Sequence, residues 1–303
     1  MTLVSIIIVT YNTRDLTSKS IRHALSSKGF KNGDVEIIVV DNHSIDDTVA
    51  YIKNTFPDVR LIENKENKGF GAGNNQAAKI AKGKYLLLLN TDAFLEKDTL
   101  RVLVDILDKN EDIGSVGPQL RNADGSLQQS AGYLPTPIRI MAWMWWLDKI
   151  PVIKKLFSTP YHIYDLNWYK KSHYPGWLMA ACVLFRKTEF LTANGFDDKI
   201  FMYAEEVELY RRMYEATHKK NYFTTKTFVI HLVGASSKRA NAFRLVYELR
   251  GVEYIYKKHY SNMLWFMKPV LLSGAILRII IYSLMPSKAD ALAEYKKYFA
   301  PIK

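Results

Sequence analysis

An α/β chain built on a mostly parallel central sheet, with helices covering both faces, is the fold class this sequence predicts. Three observations predict it. Short β-branched or leucine-rich runs alternate with segments of helical spacing over the first third of the chain. The runs are apolar throughout and do not alternate with polar residues, as strands buried on both faces must be. The clearest of them end at polar clusters, where a parallel sheet places its ligands.

Leu3 to Thr10 is the first β-branched run. It has no basic n-region and no small-residue cleavage site, so it reads as a strand and not as a signal peptide. Thr17 to Ser27 has helical spacing, Val35 to Val40 is a second apolar run ending at Asp41, and Asp46 to Thr55 reads as a helix with acids in its first turn. Val59 to Glu63 is expected as a third strand, followed by a Gly-rich turn, a helix over Asn74 to Ala81 and the strand Lys84 to Asn90. Parallel strands need crossovers of this kind.

Three polar clusters would then converge at one sheet edge: Thr10-Tyr11-Asn12, Asp41-Asn42 and Asn90-Thr91-Asp92. Tyr11 offers a face on which a nucleobase can stack, and the Asp41 carboxylate can accept from a base N–H or a ribose hydroxyl. Asp92, delivered by the run Tyr85 to Leu89, would bind the metal that bridges a diphosphate. Each residue also has a purely structural reading. Asp92 could cap a helix starting near Leu95, Asp41 could cap a helix or hold a turn, and Tyr11 could be ordinary packing. The loop Asn67 to Asn74 lacks the spacing of a P-loop or dinucleotide fingerprint, although Lys68 could neutralise a diphosphate.

Composition narrows the class. A chain of 303 residues with 48% hydrophobic residues can bury a substantial core, which excludes disordered and fibrous proteins. The one cysteine, Cys182, excludes an intrachain disulfide framework and cysteine-rich zinc sites; it reads as a buried inert thiol in a reducing cytoplasm. The formal charge of +12 is concentrated late: from Lys219 to Lys303 there are 15 Lys/Arg against 4 Asp/Glu. Nucleic acid would explain such a charge, but no nucleic-acid motif occurs, and the basic residues accompany long apolar runs, which favours lipid.

Two regions point to an acceptor at a membrane. Pro137 to Tyr174 mixes Trp143, Trp145, Trp146 and Trp168 with Lys149, Lys154, Lys155, Lys170 and Lys171, which suits an interfacial surface or sugar-stacking lid as well as a helical insertion packing its aromatics inward. Asn262 to Pro286 is apolar but interrupted by Lys268 and Arg278. It is expected as an amphipathic segment on a membrane or in a dimer interface, not as a span, which needs ~20 residues. Lys257 and Lys258 beside it would attract anionic lipid.

Taken in order, Val4 to Asn12, Glu36 to Asn42 with Ser44 and Asp47, Asn67-Lys68-Gly69-Phe70 with Asn74, and Leu88 to Asp92 resemble the family 2 inverting glycosyltransferases of the GT-A fold. Gly176 to Arg186 resembles the acceptor-side strand of the rhamnosyltransferase-like enzymes of bacterial surface polysaccharide synthesis. Gly195-Phe196-Asp197 with Phe201 to Leu209 resembles their catalytic acid segment, and His231 to Ser236 their histidine motif. The resemblance covers about residues 3 to 237.

It implies a GT-A, Rossmann-like sheet over 1–237, with a nucleotide-sugar-binding half (1–118) and an acceptor and catalytic half (119–237) carrying the aromatic insertion at about 137–175. A basic helical extension, 238–303, would follow. Thr10, Tyr11, Asn12, Asp41, Asn42, Lys68, Asn90 and Thr91 would bind the nucleotide. Asp92, with His231, would hold Mg²⁺ or Mn²⁺ on the diphosphate, and Trp177 and Met179 would face the acceptor sugar. Asn90 and Thr91 replace the first acid and the proline of many relatives.

Glu206 stands where the family usually has aspartate and is the expected base, with Glu205 as the alternative. The implied partners are a dTDP- or UDP-sugar donor, with dTDP-rhamnose favoured, a glycan or lipid-linked acceptor, the inner face of the cell membrane and a second copy of the chain; nucleic acid is excluded. A catalytically silent sugar-nucleotide-binding or scaffold subunit, and a nucleotidyltransferase, are the competing readings.

Overall fold

The computed structural model describes residues 2–150, 152, 159–232, 234 and 240–299. Lys154, Lys155, Val233, Ala235, Ser236 and the expected boundary after residue 237 lie outside the described residues. In chain order the elements are β1 (Val4–Thr10), α1 (Arg14–Leu25), β2 (Val35–Asp41), α2 (Thr48–Thr55), β3 (Arg60–Glu63), α3 (Gly69–Ile80), β4 (Tyr85–Leu89) and β5 (Ala93–Leu95). There follow α4 (Thr99–Lys109), β6 (Ile113–Arg121), β7 (Ala131–Gly132), α5 (Pro137–Met144), β8 (Trp177–Leu178), β9 (Cys182–Arg186) and α6 (Lys187–Thr192). The chain continues through α7 (Glu205–Thr217), β10 (Lys220–His231), α8 (Ala240–His259), α9 (Leu264–Ser283) and α10 (Ala289–Tyr298).

Eight strands form one sheet in the order β3-β2-β1-β4-β9-β6-β10-β5. Its first four strands are parallel, with Val4 opposite both Val35 and Tyr85, because α1, α2 and α3 return the chain across the sheet between them. β9 runs antiparallel to β4 and β6, and β5 antiparallel to β10, so the sheet is mixed beyond β4. Side chains alternate between faces: Val4, Ile6 and Ile8 join an apolar cluster with α1 and α4, while Ile7 joins another with α3, α7 and the C-terminal helices.

Three local expectations change. α3 begins at Gly69, not Asn74, so the Gly-rich turn is the first turn of the helix. Its glycines serve close packing: a Cβ on Gly71 would meet Phe196 Cβ at 2.9 Å, and one on Gly73 would meet Val9 Cγ1 at 2.9 Å. The segment after Asp92 is the strand β5, and α4 starts only at Thr99, so Asp92 does not cap a helix from Leu95. Helix α2 starts at Thr48, whose N–H and hydroxyl both donate to Asp46 Oδ1 at 3.1 and 2.5 Å.

The aromatic insertion packs inward. Trp143 is buried against Tyr161 and His162 with ring centroids 5.0 and 5.4 Å away, and Trp145 and Trp168 are half-buried against the same core. Helix α9 is continuous through Lys268 and Arg278, and 261–283 is long and apolar enough to cross a membrane by length and composition. Arg278 does not interrupt it because the guanidinium is buried and satisfied. It donates to the carbonyls of Trp143 at 2.6 Å, Gly274 at 3.3 Å and Met144, and lies 4.7 Å from the Trp146 ring. The buried face of α9 (Met267, Val270, Leu271, Gly274, Ala275) follows helical spacing and is shared with α5 and α8; Trp265, Ile276, Ile280 and Leu284 face outward.

Candidate active site

One cavity of about 510 Å³ opens at the carboxyl end of the parallel strands and collects most of the expected residues. Thr10, Tyr11 and Asn12 enter from the end of β1, Asn42 from the end of β2, and Asn90, Thr91 and Asp92 from the end of β4. Trp177 and Met179 enter around β8, Glu205 and Glu206 from the first turn of α7, and His231 from the end of β10. Asp41 and Lys68 do not line it. Asp41 is buried, with Oδ2 accepting from the Ser44 N–H at 2.9 Å and Oδ1 without a hydrogen-bond partner among the described residues. Lys68 is exposed immediately before α3.

Several expected nucleotide contacts already brace the loops. The Asn12 N–H donates to Ser44 Oγ at 2.8 Å, and Asn12 Oδ1 accepts from the Ile45 N–H at 2.7 Å, tying the β1 loop to the β2 loop. The Asn42 amide donates to the Gly69 carbonyl at 3.0 Å, and its Oδ1 accepts from Asn64 at 2.9 Å. Gly69 sits at φ +82 with the Phe201 carbonyl 2.6 Å from where a Cβ would be, so this crossing requires glycine. Tyr11, 45% exposed, leaves its ring open at the cavity mouth.

Strand register brings Asp92 and His231 together. β5 pairs with β10 so that Ala93 lies opposite His231, and the Leu232 N–H donates to the Asp92 carbonyl at 2.9 Å. Both side chains are buried, with His231 Nε2 3.4 Å from Asp92 Oδ1. Carboxylate oxygen and imidazole nitrogen at this spacing suit a borderline cation such as Mn²⁺, and a site with few protein ligands leaves positions for phosphate oxygens. Among the described residues no group of three or more His, Cys, Asp or Glu is arranged for a metal, so Asp92 and His231 would be the protein's share.

Glu205 and Glu206 begin α7 after two successive non-glycine residues in the left-handed region, Tyr203 at φ 65 and Ala204 at φ 68. Such backbone costs of order 1–3 kcal/mol per residue and is retained where the surroundings impose it. Here Gly251 of α8 presses on the turn: a Cβ there would lie 2.7 Å from Ala204 Cβ and 2.9 Å from the Tyr203 carbonyl oxygen. Burial, then the proximity of the Glu206 charge, pushes the Glu205 carboxyl well above the usual range.

Two further lining residues carried no signal in the sequence reading. His162, from the aromatic insertion, and Glu248, from α8, pair at 2.7 Å between Nε2 and Oε1. They lie 86 positions apart in the chain, and only the packing of α8 over the insertion joins them.

A family model described as "Glycosyl transferase family 2" matches residues 5–181, more than half of the chain. An N-acetylglucosaminyl-diphospho-decaprenol L-rhamnosyltransferase of Mycobacterium tuberculosis is 28% identical over 199 residues, 60% of this chain and 62% of that protein. The chain therefore spans less than two thirds of that relative. A UDP-Glc:alpha-D-GlcNAc-diphosphoundecaprenol beta-1,3-glucosyltransferase of Escherichia coli is 44% identical over 96 residues, 31% of this chain and 37% of that protein. Among solved structures, a mannosyltransferase from Pyrobaculum calidifontis in complex with GDP-Man and Mn²⁺ superposes with a TM-score of 0.56 at 17% identity, covering 97% of this chain and 81% of that one. The fold is GT-A.

Proposed function

The chain belongs to glycosyl transferase family 2, and we propose that it moves a sugar, rhamnose in the first instance, from a nucleoside-diphosphate donor to a hydroxyl of a lipid-linked glycan, with inversion. The carrying observation is that one cavity holds the Asp92–His231 pair and the Glu205–Glu206 pair together, with Tyr11 at its mouth. Rhamnose and the lipid-linked acceptor are drawn from the mycobacterial relative's name. Synthesis of a cell-surface polysaccharide follows from the same likeness.

Tyr11 stacks on the base, while Asp41, buried and outside the cavity lining, holds the Ser44 loop beside it. Asp92 and His231 hold Mg²⁺ or Mn²⁺, which when bound supplies positive charge to the diphosphate. Glu206 removes the proton of the acceptor hydroxyl. The acceptor oxygen then forms its bond to the anomeric carbon as the bond from that carbon to the diphosphate oxygen breaks on the opposite face. Glu205 is unsuited to be the base because burial keeps its proton on. The first turn of α7 favours an ionised carboxylate at Glu206. Trp177, with Met179 beside it, offers an apolar wall to the acceptor ring.

The exposed side of α9 (Trp265, Phe266, Ile276, Ile280, Leu284), flanked by Lys257, Lys268 and Lys288, rests on an anionic bilayer and keeps the cavity near a lipid-linked acceptor. A panel of dTDP- and UDP-sugars with Mg²⁺ or Mn²⁺, scored for nucleoside diphosphate release, tests the reading. Release with one donor that disappears in Asp92→Ala and Glu206→Gln is the expected result. Donor binding without turnover, even with polyprenyl-diphosphate sugars supplied, would leave a silent binding subunit in its place.

A further inference from the structure

We infer that Gln128 is a positioning residue that fixes the tautomer and orientation of His231, so that Nε2 is held as a lone-pair donor facing Asp92. This rests on the reading of Asp92 and His231 as the cation site.

Gln128 lies just beyond a hairpin in which Arg121 bridges Leu127, and its own N–H donates to the Leu120 carbonyl at 3.0 Å. The turn is made by Asn122, Asp124 and Gly125, with Gly125 at φ +83. The side chain is buried, and its amide is committed on every side. Nε2 donates to the His231 carbonyl oxygen at 2.6 Å and to Asn122 Oδ1 at 2.8 Å, which uses both amide hydrogens. Rotating the amide by half a turn would set its oxygen against two acceptor oxygens, so the orientation is determined by the surroundings.

Oε1 is therefore the atom that faces His231 Nδ1, at 2.9 Å. An amide oxygen only accepts, so Nδ1 carries the hydrogen. In the neutral ring Nε2 then carries the lone pair, and it is Nε2 that lies 3.4 Å from Asp92 Oδ1. Two contacts to one residue, through ring and main chain, set both the ring's rotation and its place at the end of β10. Nitrogen ligands held in this way by a second hydrogen-bonding partner bind metal more tightly, and losing the partner typically costs 10- to 100-fold in affinity.

Mn²⁺ binding, read by the loss of the free-ion electron paramagnetic resonance signal in the presence of UDP, tests this without turnover. Wild type, Gln128→Ala, His231→Ala, the double variant and Asp92→Ala are compared after their folds are matched by circular dichroism. The expected result is a loss of about 10- to 100-fold in Mn²⁺ affinity for Gln128→Ala, with no further loss when Gln128→Ala is added to His231→Ala. Unchanged affinity in Gln128→Ala, or an equal additional loss in the His231→Ala background, overturns the inference and leaves Gln128 a structural brace. If Asp92→Ala and His231→Ala bind Mn²⁺ as well as wild type, the cation site itself is lost and the inference falls with it.

Discussion

Glu205 and Glu206 are neighbours in the chain and opposites in environment. Glu205 is buried and Glu206 is partly exposed in the cavity, and burial is the leading cause that raises the Glu205 carboxyl. Because the Glu205 pKa is raised on folding, the folded state binds more protons there. Its contribution is then fully present below the ordinary glutamate range and is lost as pH rises through the raised value. Glu205→Gln should accordingly raise the melting temperature at pH 8 and leave it little changed at pH 4, as followed by calorimetry. A gain at both pH values would contradict the assignment. Glu206→Gln should lower product formation by about 10²- to 10⁴-fold, the usual contribution of a general base, while donor affinity measured by calorimetric titration is retained. Loss of donor binding would instead mark Glu206 as a donor contact.

Helix α7 is held by contacts from distant elements. Burial pushes the Glu208 carboxyl up, but donors from Arg212 at 2.8 Å, Lys258 at 2.7 Å and His259 at 2.9 Å outweigh it and hold it below the ordinary value. Lys258 and His259 belong to α8, so this carboxylate ties α7 to α8; its contribution is present above the ordinary glutamate range and is lost as pH falls. Breaking such a buried charge network by Glu208→Gln should cost about 3 kcal/mol in urea unfolding at pH 7; a loss under about 1 kcal/mol would show a solvated pair. Gly251→Ala tests the other contact. Alanine gains about 1 kcal/mol in helix propensity over glycine, but a methyl 2.7 Å from Ala204 Cβ forces a shift costing about 1–3 kcal/mol. The clash should win, lowering both stability and turnover; a stabilised, fully active variant would show that the turn can yield.

The C-terminal helices complete the molecule. Leu249, Val252, Ile255, Tyr256, Met267 and Leu271 share one apolar cluster with Ile7, Leu86 and Leu88 of the central sheet, and Glu248 reaches the cavity. Deleting residues 240–303 should therefore abolish the cooperative thermal transition, since each large core side chain is worth several kcal/mol. A truncated chain that still melts cooperatively would show a separable extension. For the outer face of α9, Trp265→Glu with Ile280→Glu should abolish flotation with vesicles containing anionic lipid without changing the melting temperature by more than a few degrees. Flotation that survives both changes would remove the bilayer reading, and a monomer replacing a dimer in sedimentation would assign the face to a second copy.

Local pattern was enough for the parallel half of the sheet and for the polar ends of β1, β2 and β4, because strand length, burial on both faces and crossover spacing are written within a few residues of one another. The ordered motifs likewise singled out Asp92, Glu206 and His231, which the fold brings to one cavity. They did not reveal that Ala93 to Leu95 pairs with β10, since a three-residue strand has no periodicity of its own, or that α3 starts in its glycines, which are chosen for close approach to Phe196 and Val9. Arg278 looked like an interruption because charge is visible in a sequence while three accepting carbonyls are not. His162, Glu248 and Gln128 became site residues only through contacts more than eighty positions apart, and such contacts are decided when helices and strands pack, by the geometry that satisfies every buried polar group together.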